Sequence, residues 1–157
     1  MIKSVERSTV ICVDRSIDPT YPLERSFNVH FRLVRMGPAE YDLTAIELFV
    51  RTFQQTPEKA EGKWLHEYLK GTRMIERCLD LRDAVEIQKL DVNTFRRIFG
   101  DSNVFFWRAT AQDCHGDEQV PYLCLREAEI VLAWRSIKEK WGASDLTALF
   151  PKEPNKP

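Results

Sequence analysis

The spacing of hydrophobic and polar positions predicts two strands near the start of the chain. Residues 8–14 are rich in β-branched side chains, which favour extended backbone. In residues 27–35 the apolar side chains recur at every second position, with polar side chains between them: Phe27, Val29, Phe31 and Leu33. A period of two with one polar face indicates a half-buried strand of an antiparallel sheet.

The following fifty or so residues carry spacings of three and four, which predict helices. Thr44 and Glu47 have the spacing of a capping box, and a helical stripe follows them: Ile46, Phe49, Val50 and Phe53. Thr56-Pro57-Glu58 predicts the start of a second helix that ends near Gly71. Residues 81–90 fit either a helix or a strand, whereas Asp91 is suited to cap a short helix ending at Gly100.

The last third of the chain is predicted to hold a hairpin and a helix. Residues 104–111 and 120–125 are strand-like, and a turn lies between them at 114–117. The first of these strands is apolar on both faces, which favours a central place in the sheet. A helical stripe follows, with Gly142 suited to end it: Ile130, Trp134, Ile137 and Trp141. Ser144 is suited to cap one last helical turn that runs to Phe150.

Strands and helices that are segregated in this way predict an α+β fold. We expect an antiparallel sheet of about four strands, with the helices packed mainly on one face. A chain of 157 residues has the length of one domain, which we place at residues 1–150. Residues 151–157 hold three prolines, at 151, 154 and 157, and are predicted to form a flexible Pro-rich tail.

Composition and charge exclude several classes of protein. Hydrophobic residues make up 43% and charged residues 30%, which is typical of a globular domain and excludes a disordered one. The formal net charge of −1 gives no basic footprint for nucleic acid. Residues 1–7 are charged where an export signal is apolar, and the four cysteines are widely spaced. We therefore expect a cytoplasmic protein with reduced thiols and no membrane partner.

The common local signatures of cofactor binding and catalysis are missing from the sequence. The six glycines are too far apart to form a dinucleotide-binding or phosphate-binding loop. No serine lies in a nucleophile elbow, and His66-Glu67 has no second histidine at the spacing of a zinc-protease helix. We therefore predict no cofactor and no metal site, while a site assembled only by folding stays open.

The first candidate site is a polar cluster in the predicted hairpin turn: Asp113, Cys114, His115, Asp117 and Glu118. His115 with a neighbouring carboxylate could act as a general base in a small hydrolase. The alternative is a hydrophilic turn, since Asp and Gly are the residues that tight turns favour. Neither the spacing nor the set of side chains matches a defined metal site.

The second candidate site combines cations on the second strand with one cation of the hairpin: His30, Arg32, Arg35 and Arg108. The neighbouring Phe105, Phe106 and Trp107 could stack on bases while the arginines bind phosphates. The alternative is that these aromatic rings fill the core. The balanced overall charge argues against the nucleic-acid interpretation.

The third feature is an abundance of arginine and tryptophan, which are enriched at protein interfaces. Trp64, Trp134 and Trp141 lie on predicted apolar stripes, so we expect them in the core. The leading hypothesis is a non-catalytic interaction module, such as an inhibitor-like or immunity-like protein that binds another protein. The alternatives are a nucleic-acid-binding protein and a small hydrolase around His115.

Overall fold

A computed structural model describes residues 8–17, 28–31 and 37–152 of the chain. Its strands are β1 Val10–Cys12, β2 Asn28–Phe31, β3 Glu40–Asp42, β4 Glu47–Phe49, β5 Ala60–Glu61, β6 Asn103–Phe105, β7 Ala109–Gln112, β8 Glu118–Arg126, β9 Glu129–Ser136, β10 Lys140–Trp141 and β11 Asp145–Leu149. Its α-helices are α1 Gly62–Gly71, α2 Leu81–Gln88 and α3 Val92–Phe99. Short 3-10 helices cover Leu43–Ala45, Thr52–Gln55 and Met74–Arg77.

The main sheet is larger than predicted and is mixed. Six of its strands follow the order β2-β7-β8-β6-β11-β4, and β9 pairs with β8 as a seventh. All of these pairs are antiparallel except β6 with β11, which is parallel. The α+β class is confirmed, but the expected sheet of about four antiparallel strands is wrong. Two short antiparallel pairs, β1 with β3 and β5 with β10, lie outside this sheet.

A single long strand, β8, organises the sheet. All but one of its residues pair with β9. On its other side, β8 pairs with Val104 and Phe105 of β6 and, nearer its start, with two residues of β7. A strand has only two edges, so β6 and β7 share the edge opposite β9 as one interrupted strand. Pro121 lies within β8 opposite the interruption, where the Phe106 amide donates to its carbonyl. A proline is tolerated in this central strand because its neighbour is irregular there.

The sheet is covered on both faces. Val104, Phe106 and Leu123 join the core cluster that contains the buried residues of α2 and α3. Phe105 and Tyr122 alternate with them and join a second cluster that contains Leu65 and Leu69 of α1. The expectation of helices mainly on one face therefore holds for α2 and α3 but not for α1. The strand predicted over residues 104–111 lies inside the sheet as expected, but it is interrupted between β6 and β7.

The predicted helix over residues 130–141 is wrong, because β9 and β10 occupy this region. Residues 127 and 128 connect β8 to β9 with φ values of 49° and 64°, as a two-residue type I′ turn requires. Glu127 and Ala128 lack the Asn-Gly signature of such a turn, so the sequence does not reveal the hairpin. The last turn predicted at Ser144–Phe150 is likewise wrong, since β11 lies there.

The other predicted helices have mixed outcomes. The stripe from Ile46 to Phe53 is not helical, because β4 and a 3-10 turn cover it. The helix predicted from Thr56 begins only at Gly62, but it ends at Gly71 as expected. Residues 81–88 are helical, and Asp91 caps α3 through a hydrogen bond from the Thr94 amide. None of the helices in the described ranges is both long and apolar enough to cross a membrane.

Candidate functional site

Two large aromatic side chains stand out from the folded domain. The side chain of Trp64 is 59% exposed and that of Phe53 is 54% exposed, whereas Trp107 and Trp141 are buried. We use the name Trp64–Phe53 surface for these two rings and the three cations beside them: Arg51, Lys59 and Lys140. Large apolar side chains exposed together mark interaction sites more often than single exposed ones do.

Phe53 points outward because its neighbour Gln54 is anchored inside. Gln54 is 1% exposed, and its Nε2 donates to the carbonyls of Gly142 and Asp145 at 3.0 and 2.9 Å. Its Oε1 accepts from the Arg51 amide at 2.9 Å, which closes the 3-10 turn. The buried amide is fully engaged, so the turn has a fixed orientation and presents Phe53 to solvent.

Trp64 is exposed because of the way α1 begins. Leu65 and Leu69 form the buried stripe of α1, and Trp64 precedes that stripe by one residue, about 100° away around the helix. The helix starts at Gly62, where an added Cβ would lie 2.2 Å from Trp141 Cζ3. Gly62 therefore lets the start of α1 lie directly against the buried Trp141 ring. The prediction that Trp64 packs in the core is wrong, whereas that for Trp141 is confirmed.

Two grooves flank the Phe53 side chain. One has a volume of about 450 Å³ and is lined by Trp64, Lys59 and Lys140, among other residues. The other has a volume of about 400 Å³ and is lined by aromatic residues that include Tyr68. Arg51 and Phe53 line both grooves and form the ridge between them. The ridge is supported by the Arg51 guanidinium, which lies 3.9 Å from the centre of the Tyr68 ring.

The cations of the surface are not neutralised by the ion pairs of the described residues. Within residues 8–17, 28–31 and 37–152, no salt bridge involves Arg51, Lys59 or Lys140. Glu58 and Glu61 also line the larger groove, so both signs of charge are present. Exposed charges around an apolar centre resemble the polar rim of a protein interface.

In the structure, the polar cluster of the hairpin stabilises the turn through hydrogen bonds to Asp113. Asp113 Oδ1 accepts from the amides of His115 and Asp117 at 2.9 and 3.0 Å, and Gln119 donates to its other oxygen. The slight burial of Asp113 acts to raise its pKa, but these hydrogen bonds outweigh that effect and hold the pKa below its usual value. Cys114 and His115 are exposed. In the part of the chain that the structure describes, no three His, Cys, Asp or Glu side chains could hold a metal ion together.

Glu118, another member of that cluster, lies beside a histidine that the sequence did not single out. His66 Nδ1 is 3.6 Å from Glu118 Oε2, and the His66 ring stacks on Trp107 with the ring centres 5.4 Å apart. His66 is on α1 and distant in sequence, so no local pattern could have revealed the pair. The contact joins α1 to the sheet and does not bring His115 toward a second catalytic group.

The structure tests little of the predicted basic site. Arg32 and Arg35 lie outside the described residues, and of His30 only the backbone is described, in β2 opposite Thr110. Arg108 lies beside a cavity of about 620 Å³ and donates to the Glu76 carbonyl at 2.7 Å. Partial burial lowers the pKa of Arg108. Whether these four residues form one site therefore stays a prediction.

A buried ion cluster close to that cavity was also missed by sequence reasoning. Asp83 is fully buried, and the Arg15 guanidinium donates to both of its oxygens at 3.0 and 2.8 Å. The Tyr41 hydroxyl donates to Asp83 at 2.7 Å. Burial and the charge of Asp83 raise the pKa of Tyr41, so the phenol stays protonated. The only sequence signal was the Asp80–Asp83 spacing of a capping box, which α2 does use.

The cluster is best understood as structural, because each of its groups is engaged within the chain. Arg15 also donates to the Pro38 carbonyl. Arg82 donates to the Ile17 carbonyl, and its guanidinium lies 3.3 Å from the Asp80 carboxylate. These contacts join residues 15–17 and 38–41 to the start of α2.

No known family, curated protein or solved structure gives a significant match to this chain. Its function is therefore inferred from its own residues.

Proposed function

We propose that this chain is a non-catalytic, cytoplasmic protein-binding module that recognises another protein through the Trp64–Phe53 surface. The observation that carries the proposal is the joint exposure of Trp64 and Phe53, by 59% and 54%, in the lining of one groove. Burying the exposed part of one such ring in a partner stabilises a complex by about 1–2 kcal/mol. In the free protein, the exposed part of each ring contributes no such free energy to folding.

Buried contacts hold the framework beneath the two rings, which suits a recognition surface. Gln54 fixes the turn that carries Phe53, and Gly62 fixes the start of the helix that carries Trp64. Binding therefore requires little ordering of the free chain, and less of the contact energy is offset by lost entropy. We expect the partner to place apolar side chains in the two grooves and polar groups near Lys59 and Lys140.

The alternatives are less well supported by the described residues. The hydrolase hypothesis needs free catalytic groups at His115, but both oxygens of Asp113 are used within the turn. Trp64 and Phe53 support the nucleic-acid hypothesis, since exposed rings beside cations can stack on bases. Glu58 and Glu61 argue against it, because their carboxylates line the same groove and would repel phosphates. An intracellular location is consistent with the four free cysteines.

The test compares capture of partners by four forms of the full chain. Immobilised wild type, Trp64→Ala, Phe53→Ala and Ile17→Ala are exposed to nuclease-treated lysate of the source cells. Ile17 is a matched control because its side chain is 60% exposed but belongs to another part of the fold. We expect one stoichiometric protein that is retained by wild type and Ile17→Ala and lost from the other two.

Two results would contradict the proposal. Equal capture by all four forms would show that the Trp64–Phe53 surface is not the contact. Binding of oligonucleotides that weakens steeply with salt and requires Trp64 would instead support the nucleic-acid alternative. Circular dichroism and thermal unfolding of each variant establish that a lost interaction is not a lost fold.

A further inference from the structure

The outer edge of β4 borders the smaller groove, of about 400 Å³, and is open to another strand. Among the described residues β4 pairs only with β11, so it is the last strand of the main sheet on that side. Extended backbone continues beyond both of its ends, since Ile46 has φ −68° and ψ 133° and Arg51 has φ −72° and ψ 146°. Residues 46–51 contain no lysine and no proline, the residues that commonly protect an exposed edge.

A hydrogen bond on the far side of β11 shows which backbone groups of β4 face outward. The Leu79 amide donates to the Ala148 carbonyl at 3.2 Å, so the backbone groups of Ala148 point away from β4. Ala148 lies opposite Leu48, and opposite residues of an antiparallel pair point these groups either toward each other or apart. The amide and carbonyl of Leu48 therefore face outward, as do those of Val50 two residues later. Within the described ranges, these four groups have no hydrogen-bond partner.

The groove beside this edge is apolar apart from one cation. The Phe49 ring stacks on the Tyr68 ring with the ring centres 6.0 Å apart, and the Arg51 guanidinium lies against the same Tyr68 ring. Arg51 is the one charged residue in the described lining of this groove, which Glu58 and Glu61 of the larger groove do not reach. No salt bridge of the described residues neutralises Arg51. The groove therefore complements an apolar group next to an anion.

We infer that the bound protein supplies an extended segment that adds to β4 as a further strand of the main sheet. Its amides and carbonyls pair with those of Leu48 and Val50, which gives affinity that does not depend on side chains. The partner side chain beside Phe49 is apolar and enters the smaller groove, whereas the one beside Arg51 carries a carboxylate. Every second side chain of a strand lies on one face, so these two partner residues are two positions apart.

This inference rests on the proposed function and specifies the form in which the partner is recognised. Arg51 and Phe53 line both grooves, so a strand on β4 is continuous with the Trp64–Phe53 surface. A helical segment would fit less well, because its backbone groups bond to one another and would leave those of Leu48 and Val50 unpaired. An extended segment satisfies the backbone edge and the groove together.

Selection of peptides on the full chain tests the chemistry of the segment. A phage-displayed library of random twelve-residue peptides is selected on the immobilised wild type. We expect the enriched peptides to share an apolar residue and an Asp or Glu two positions apart. Enrichment of peptides that lack an acid, enrichment at a helical spacing of three or four, or no enrichment at all would overturn the inference.

Variants of the chain locate the selected peptide on β4. Leu48→Pro removes an outward amide and keeps the pairing with β11, so it should raise the peptide dissociation constant roughly tenfold. Leu48→Ala keeps that amide and should have a several-fold smaller effect. Arg51→Gln should weaken binding of the acidic peptide roughly fivefold, and should affect the same peptide with Gln in place of the acid much less. Equal effects within either comparison would contradict the inference.

Methylation of single peptide amides keeps the test decisive if Leu48→Pro does not fold. We expect binding to fall at alternate peptide positions, because only every second amide faces β4, and a loss without this alternation would overturn the inference. A dimer of the unmodified chain that Leu48→Pro dissociates would also overturn it, by placing a second copy on β4.

The lysate capture separates this inference from the proposed function. A partner that is retained by Leu48→Pro and Arg51→Gln but lost from Trp64→Ala would overturn the inference and leave the proposed function standing. A partner retained by every variant would overturn both. Loss of the same partner from Leu48→Pro, Arg51→Gln and Trp64→Ala supports both.

Discussion

The buried ion pair between Arg15 and Asp83 permits a quantitative prediction. Asp83 is fully buried and the Arg15 side chain is 9% exposed, so solvent cannot replace the guanidinium when it is removed. Arg15→Met keeps much of the apolar volume but leaves the carboxylate unpaired. Removing one partner of a buried pair typically costs about 3–5 kcal/mol. We expect the free energy of unfolding, measured with urea, to fall by that amount.

Two controls isolate the charge as the cause. Lys89→Met breaks an exposed pair, in which the Lys89 side chain is 65% exposed and lies 2.8 Å from Glu86, and should cost less than about 1 kcal/mol. Arg15→Met combined with Asp83→Asn removes both charges and keeps an acceptor for the Tyr41 hydroxyl. The double variant should therefore recover much of the loss.

The pH dependence supplies a second readout of the same variant. Burial already raises the pKa of Asp83, and loss of Arg15 should raise it further. The folded state then binds a proton at pH values where the unfolded state does not, so protonation favours folding. The loss caused by Arg15→Met should be smaller at about pH 5 than at about pH 8. A loss no greater than that of Lys89→Met, or one independent of pH, would refute this reasoning.

Three further predictions concern the backbone. Gly62→Ala should lower the free energy of unfolding, measured with urea, by about 3 kcal/mol, because its Cβ would lie 2.2 Å from Trp141 Cζ3. Gly71→Ala is the control: open space surrounds that position, so the same titration should show a neutral or slightly stabilising effect. Ala128→Gly should raise the melting temperature, since φ of 64° strains alanine by about 1 kcal/mol; an unchanged value would contradict this. Asp113→Ala should lower the protection factors for amide exchange at His115 and Asp117, because both amides donate to that carboxylate. Acidification of the wild type through the lowered pKa of Asp113 should also lower these protection factors, and protection factors unchanged by either would show that Asp113 does not hold the turn.

Local sequence patterns predicted those elements whose signals lie within the element. Asp91 and Gly100 bound α3, and the apolar run at residues 104–107 indicated a central strand. The helix predicted over residues 130–141 was wrong because Ile130, Trp134 and Ile137 have helical spacing by coincidence. What decides that region is the pairing of eight residues with β8, which is a property of the whole sheet.

The candidate surface could be predicted only in part. The sequence indicated that tryptophan and arginine would serve recognition, but it placed Trp64 in the core. The exposure of Trp64 is set by the one-residue offset from Leu65, and hence by where α1 begins. That start depends on the contact between Gly62 and Trp141, which are far apart in sequence. Local sequence patterns could not predict pairs such as Arg15 with Asp83 for the same reason, because the two residues are far apart in sequence.

The pairing of β4 with β11 and of β5 with β10 has a consequence for biosynthesis. Near the Trp64–Phe53 surface, β4 pairs with a segment made about a hundred residues later and β5 with one made about eighty residues later. Gln54 donates to carbonyls at residues 142 and 145. Such distant contacts give the domain a high contact order, which slows folding. A nascent chain in which β10 and β11 have not yet emerged therefore displays neither groove. On the proposed function, recognition of a partner would begin only after translation has passed β11.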